Sequence, residues 1–166
     1  MGALIDHSLA EVRLRTAPAP VPERFRLADA LDQIGATMRR EIDGRNLEIE
    51  TDRQFLTSTV SNLVQNALKY TSAGSHVFLR GRRTDDRIVI EVEDECGGLP
   101  PGKIDELFRP FVRGDYQRPG VGLGLSIAMR AIKAIKGGIR VRDLPGKGCI
   151  FIVELPAVLV LPPARA

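Results

Sequence analysis

From Leu27 onward the apolar residues Leu27, Ala30, Leu31, Ile34 and Met38 recur at helical spacing, with Gly44 beyond them as a C-cap. The pattern predicts a helix from Leu27 to about Ile42. Leu47, Ile49 and Thr51 then alternate with Glu48 and Glu50, the period of a half-buried strand. Thr51 and Gln54 stand at capping-box spacing and predict a helix over 53–70. Phe55, Leu56, Val60, Leu63, Val64, Ala67 and Leu68 give it the broad apolar stripe of a helix lying on a sheet. Strict alternation returns at Val77 to Gly81 and Ile88 to Glu93, two strands joined by Thr84-Asp85-Asp86-Arg87. Gly122 to about Lys136 reads as a helix, followed by strands near 139–143 and 149–155 with Pro145-Gly146 turning between them. Residues 95–102 and 109–121 are rich in glycine and proline and read as loops. This order predicts an α+β two-layer sandwich, a mixed sheet covered on one face by helices.

The ends of the chain differ from the middle. Residues 3–14 read as a short amphipathic helix, and Ala17-Pro18-Ala19-Pro20-Val21-Pro22 is confined to extended or polyproline conformations, which makes residues 17–23 a linker. Residues 157–166 form a C-terminal tail. The chain has 166 residues, 43% hydrophobic and 27% charged, enough for one compact domain with short appendages. The net charge of +3 comes from basic residues dispersed along the chain, so no patch for nucleic acid is expected. No apolar run is long enough to span a bilayer and the N-terminus lacks the regions of a signal peptide, so no membrane contact by this chain is expected. Two cysteines, outside any C-x-x-C pattern, suit a reducing compartment with neither a disulfide framework nor a zinc site.

Three stretches carry candidate chemistry. Asn62, Asn66, Lys69 and Tyr70 fall at i, i+4, i+7 and i+8 and share one side of the 53–70 helix. A solvated helix face is one explanation. The other is use of the amides, because magnesium on a polyphosphate accepts a neutral oxygen ligand without added repulsion. Asp94, ending an alternating strand before Cys96-Gly97-Gly98-Leu99-Pro100, is either part of an ordinary turn or a carboxylate able to accept the amine hydrogens of adenine. Gly120-Val121-Gly122-Leu123-Gly124 leads into a helix, whose free amides and dipole favour phosphate. Its spacing fits neither a Rossmann fingerprint nor a Walker A loop, and alone it decides nothing.

Taken in order, Asn62-x-x-x-Asn66-Ala-x-Lys69-Tyr70-Thr71, Asp94 with its glycines, Leu107-Phe108-Arg109-Pro110-Phe111, and the glycine loop at 120–124 resemble the N, G1, F and G2 boxes of histidine kinases. Over residues 24–156 the chain is similar to the catalytic and ATP-binding domain of bacterial two-component sensor kinases, in the superfamily shared with gyrase, mismatch-repair and heat-shock chaperone ATPases. That resemblance implies a Bergerat-type sandwich with a mobile ATP lid at about 109–121, ATP and Mg2+ as ligands, and a cytoplasmic location. Residue by residue it implies Asn66 as the magnesium ligand with Asn62 beside it, Lys69 and Arg113 on the phosphates, and Tyr70 packing near adenine. Asp94 would bind the adenine amine and Gly98 would admit the base, while Gly120, Gly122, Leu123 and Gly124 line the phosphates. Phe108 and Phe111 are expected to pack the lid.

The sequence departs from the family in two places. Cys96 stands where the first glycine of Asp-x-Gly-x-Gly is usual, and Cys149 where threonine follows the late glycine, so a hydroxyl that helps hold Asp94 is lost. Both cysteines are expected near the adenine end, either as small buried residues or as a redox-sensitive pair. The related ATPases carry a glutamate at the place of Asn62, whereas no Asp or Glu occurs between Arg53 and Tyr70, which favours phosphoryl transfer over hydrolysis. His7 lacks the family's acceptor box, and residues 1–16 resemble the end of the second helix of a dimerisation hairpin. The implied partners are the histidine-bearing hairpin of the same kinase, a homodimer in the full-length protein, and a response regulator. A serine kinase of the anti-sigma-factor type and a nucleotide-binding pseudokinase are the alternatives.

Overall fold

The structure is a computed structural model that describes residues 19–34, 39–42, 47–99, 102, 104–112 and 122–157. The expected helix at 3–14, the start of the linker and the tail beyond Ala157 lie outside the described residues. The strands are β1 (Glu23–Arg26), β2 (Arg39–Ile42), β3 (Glu48–Thr51), β4 (Val77–Arg83), β5 (Arg87–Asp94), β6 (Gly138–Leu144) and β7 (Gly148–Pro156). The α-helices are α1 (Leu27–Leu31), α2 (Arg53–Tyr70) and α3 (Gly124–Ala134), with a 3-10 turn at Ile104–Glu106. Five strands form one sheet in the order β2-β4-β5-β7-β6, and β1 pairs with β3 in a separate ribbon. β2 runs parallel to β4 and the remaining pairs of the large sheet are antiparallel. The mixed two-layer architecture expected from the sequence is therefore present.

One face of the sheet carries the helices. Val77 and Leu79 of β4, Ile88, Ile90 and Val92 of β5, and Phe151, Val153 and Leu155 of β7 bury against Leu56, Val60, Leu63 and Ala67 of α2 and Ala128 and Ile132 of α3. Among the described residues the opposite face holds a small cluster, Val89, Ile150 and Ile152 with Leu144. Ion pairs flank it, Arg80 with Glu93, Arg82 with Glu91 at 3.5 Å, and Arg140 with Glu154 at 3.1 Å. Such exposed pairs contribute up to about 1 kcal/mol each, so the stability resides on the helical face.

Several local expectations change. The helix expected over Leu27–Ile42 ends at Leu31, although Leu27, Ala30, Leu31 and Ile34 all bury as their spacing requires. Arg39–Ile42 instead pairs with β4, Arg39 opposite Phe78 and Ile42 opposite Gly81. An edge of unpaired backbone on β4 outweighs local helix propensity. The cap of α2 is Asp52, whose Oδ1 accepts from Phe55 N at 3.0 Å and whose Oδ2 accepts from Val21 N at 2.8 Å. Thr51 is the last residue of β3 and is buried, so the expected box with Gln54 does not form. Asp52 thereby ties the end of the linker to the domain, and Glu23, the linker's last expected residue, belongs to β1. Leu68, counted in the apolar stripe, is 45% exposed.

The end of β5 approaches Gly148 closely. A Cβ there would stand 1.7 Å from the carbonyl oxygen of Asp94 and 3.0 Å from Cα of Glu95, both main-chain atoms that cannot turn aside. Gly148→Ala is expected to destabilise the fold by about 3 kcal/mol, the upper end of the range for overpacking. An unchanged urea midpoint would contradict that close approach.

Candidate functional site

The sheet register sets four residues in one row, Val77 opposite Asp94, Asp94 opposite Cys149, and Cys149 opposite Asp143. Asp94 continues the parity of Ile88, Ile90 and Val92, so its carboxylate lies on the helical face, where it is 3% exposed. Burial of an ionised carboxylate requires donors. Oδ1 accepts from Cys96 N at 3.0 Å, and the Cys149 thiol lies 3.5 Å from Oδ1 and 3.3 Å from Oδ2. The position where the family uses a hydroxyl is therefore occupied by a weaker thiol donor.

The loop after Asp94 is held from the far side of the row. Leu99 N donates to Asp143 Oδ1 at 2.8 Å, Gly97 N to Lys147 O at 3.1 Å, and Gly146 N to Gly97 O at 3.0 Å. Gly98 has φ +103°, and a Cβ on it would meet Asp143 Oδ1 at 3.2 Å and Pro145 Cα at 3.3 Å. Glycine is required there by both backbone sign and space. Sequence reasoning missed Asp143. Its alternation with Ile139 and Val141 marked a strand, but nothing local links it to a loop 44 residues away.

α2 reaches its C-terminus at the same end of the sheet, because the chain leaves it at Tyr70 and enters β4 at Val77, opposite Asp94. α3 joins β6 at the other end, where Gly138 pairs with Glu154, and so short a connection makes α3 double back along the strand. The two helices are thus antiparallel. Thr59 Oγ1 contacts Ala128 O at 3.4 Å, which sets Gly124, one turn earlier, about level with Leu63. The Asn62–Asn66 stretch and the N-terminus of α3 are brought together.

Each expected side chain has a definite environment. Asn62 Nδ2 donates to Ser58 O at 2.8 Å, which leaves Oδ1 as its acceptor. Asn66 is half-buried, with no side-chain hydrogen bond among the described residues. Lys69 Nζ lies 5.1 Å from the centroid of the Tyr70 ring. Two neutral amide oxygens one turn apart form a donor set that fits Mg2+ accompanied by phosphates. Gly122 has φ +76°, Leu123 is the N-cap residue of α3 with its side chain buried, and Ile127 N makes the first bond back to Leu123 O. The amides of Gly124, Leu125 and Ser126 remain outside the helical ladder, as at any helix start. Arg113, Gly120 and most of the expected lid lie outside the described residues. Phe108 packs edge-on against Phe151 at 6.4 Å, as expected for a packing residue. Phe111 is 68% exposed and does not join the core.

The comparisons with known proteins agree with this architecture. Residues 51–159 match the family of histidine kinase-, DNA gyrase B- and HSP90-like ATPases. The chain belongs to that family and has its Bergerat-type fold. It is 35% identical over 165 residues to the sensor protein TorS of Escherichia coli strain K12, covering 92% of this chain and 18% of TorS. Over 120 residues it is 34% identical to the alginate biosynthesis sensor protein KinB of Pseudomonas aeruginosa, covering 72% of this chain and 20% of KinB. The chain thus spans about a fifth of the length of these relatives. Full-length ShkA in complex with AMPPNP superposes with a TM-score of 0.81 at 27% identity, covering 99% of this chain and 37% of ShkA. The nucleotide-free catalytic domain of histidine kinase ThkA gives a TM-score of 0.74 at 24% identity, covering 82% of this chain and 96% of that domain, and shares the fold. The chain is an ATPase-type domain of the kind found in sensor histidine kinases, consistent with two-component signalling. Among the described residues no helix is long and apolar enough to cross a membrane.

The thiols beside Asp94 titrate upward. Burial pushes Cys149 far above the ordinary thiol value of 9.0, and the Asp94 charge adds to the rise. Cys96 is raised by burial first and by its contact with Asp94 second. Above pH 9 the unfolded chain therefore binds fewer protons than the fold, so stability falls as pH rises. The decline in urea midpoint above pH 9 is expected to be shallower in Cys149→Thr than in the parent. Equal slopes would contradict a buried, protonated Cys149.

Proposed function

We propose that this chain binds Mg-ATP and donates the γ-phosphoryl group to a histidine on the dimerisation hairpin of its own full-length sensor kinase, for relay to a response regulator. The observation that carries the proposal is the buried Asp94 carboxylate at the end of the central strand, followed directly by the glycine loop at Gly97 and Gly98. A carboxylate accepts from the exocyclic amine of adenine and opposes the carbonyl oxygen of guanine. Gly98 admits the ring and Tyr70 flanks it.

Asn66, with Asn62 beside it, is assigned to the magnesium ion, which when bound supplies positive charge against the phosphate oxygens. Lys69 contributes a further positive charge, and Gly120, Gly122, Leu123 and Gly124 contribute main-chain amides. Arg113 is assigned to the phosphates through the family pattern. With no carboxylate on α2, water near the γ-phosphate lacks a base, so the site favours transfer to a positioned nucleophile. Residues 24–156 are the working unit, acting in the cytoplasm within a homodimer of the full-length kinase.

Calorimetric titration with ATP, with and without magnesium, tests the binding step. Asn66→Ala is expected to weaken Mg-ATP binding by about tenfold, roughly 1.4 kcal/mol, with its thermal midpoint near that of the parent. Mixed with the separately produced hairpin, the chain is expected to yield an acid-labile phosphohistidine at a rate linear in hairpin concentration. Tight ATP binding with no transfer would favour a pseudokinase, and an acid-stable phosphoserine would favour the serine kinase. Affinity unchanged in Asn66→Ala would overturn the metal assignment.

A further inference from the structure

Asp94, Cys96 and Cys149 each offer one ligand atom, and the three atoms lie within 4.8 Å of one another. Cys96 Sγ and Cys149 Sγ are 3.6 Å apart, and Cys149 Sγ is 3.3 Å from Asp94 Oδ2. A tetrahedral ion with metal–sulfur bonds of about 2.3 Å and a metal–oxygen bond of about 2.1 Å sets its sulfurs about 3.8 Å apart and a sulfur and an oxygen about 3.6 Å apart. These two separations already approximate those edges, and the third lies within 4.8 Å. Asp94 Oδ1 is engaged by Cys96 N and Oδ2 by the Cys149 thiol, so Oδ2 is the oxygen released to an ion when that thiol loses its proton. As thiolates the two sulfurs would repel each other and the carboxylate, and a divalent cation among them outweighs that repulsion with three attractive contacts.

We propose that Asp94, Cys96 and Cys149 form a site for a thiophilic divalent cation, of which zinc and cadmium are the type, at the adenine end of the nucleotide site, and that cation and adenine exclude each other. The exclusion rests on the assignment of Asp94 to adenine; the metal site does not. On binding, each thiol releases its proton to solvent as its sulfur–metal bond forms, and the Asp94 carboxylate gives up the thiol donor in exchange for the ion. Cys149 is locked in β7, whereas Cys96 stands in the loop after β5 and is only partly buried, so Cys96 makes the small closing movement. Three protein ligands leave a fourth position to water, and Cys96 is the ligand with partial access to solvent.

A disulfide is the competing chemistry for these two sulfurs and is disfavoured by the same contacts. It needs a sulfur separation of about 2.05 Å. It also removes the Cys149 S–H from Asp94 and leaves the buried carboxylate short of a donor. The ion keeps the carboxylate satisfied.

The test uses the reduced chain under anaerobic conditions, its thiols first counted after denaturation. One equivalent of cadmium is expected to produce the ultraviolet thiolate-to-cadmium charge-transfer band, saturating at one ion per chain. The band should vanish in the Cys96→Ser/Cys149→Ser double variant, and in Asp94→Asn it should persist with affinity about tenfold weaker. No band at one equivalent, or a band unchanged in the double variant, overturns the site. Fewer than two titratable thiols in unreduced chain assigns the pair to a disulfide and equally overturns it. For the exclusion, ATP is expected to displace cadmium at lower concentration than tripolyphosphate, which chelates the metal but carries no adenine. Equal displacement by the two overturns the exclusion alone. Should the parent bind no ATP, it is the nucleotide proposal that fails, while the cadmium band still decides the metal site.

Discussion

An ionised carboxylate shut into a protein interior must be met by donors or by a ligand, and Asp94 imposes that requirement on the middle of this molecule. It sits at the end of the central strand β5, on the face covered by the helices. β4 and β7 close both its flanks. The register that pairs Asp94 with Cys149 supplies one donor, and the turn that follows supplies another through Cys96 N. The same register presses the Asp94 carbonyl into the space where Gly148 would carry a side chain. A slip of one residue in the β5–β7 pairing would turn every core residue of β7 to the open face and leave the carboxylate without its thiol. Core packing and the chemistry of the site are thus fixed by one alignment.

Much of the fold was legible because the strongest patterns are local. The alternation in β4 and β5 and the apolar stripe of α2 describe how each element meets the core without reference to its neighbours. The failures occur where a distant partner decides. Nothing between Leu27 and Ile42 announces that β4 has a free edge, so five apolar residues at helical spacing promised a helix longer than the one that forms. Asp52 caps α2 in preference to Thr51 because Thr51 is already committed to β3. Leu68 fits the apolar stripe by spacing, yet it lies near the helix end and remains exposed.

The site divides in the same way. Residues on one element, Asn62, Asn66, Lys69 and Tyr70, are found by counting along a helix. Asp143 cannot be found so, since its role depends on β6 lying beyond β7 and presenting a carboxylate to Leu99 N. The two cysteines illustrate a third case. Against the family pattern each is a departure, a lost glycine and a lost hydroxyl. In three dimensions they lie beside each other and beside Asp94, and become a group with chemistry of its own.

At the other margin of the site, Phe111 N donates to Gly122 O at 3.0 Å, and both residues hold left-handed backbone, φ +65° and +76°. A left-handed phenylalanine is strained, so this clasp is maintained against a local penalty of about 1–3 kcal/mol. It ties Phe111 to the residue just before the N-cap of α3, so the start of that helix is held from the segment that follows the 3-10 turn, and relief of the strain at Phe111 would loosen both together.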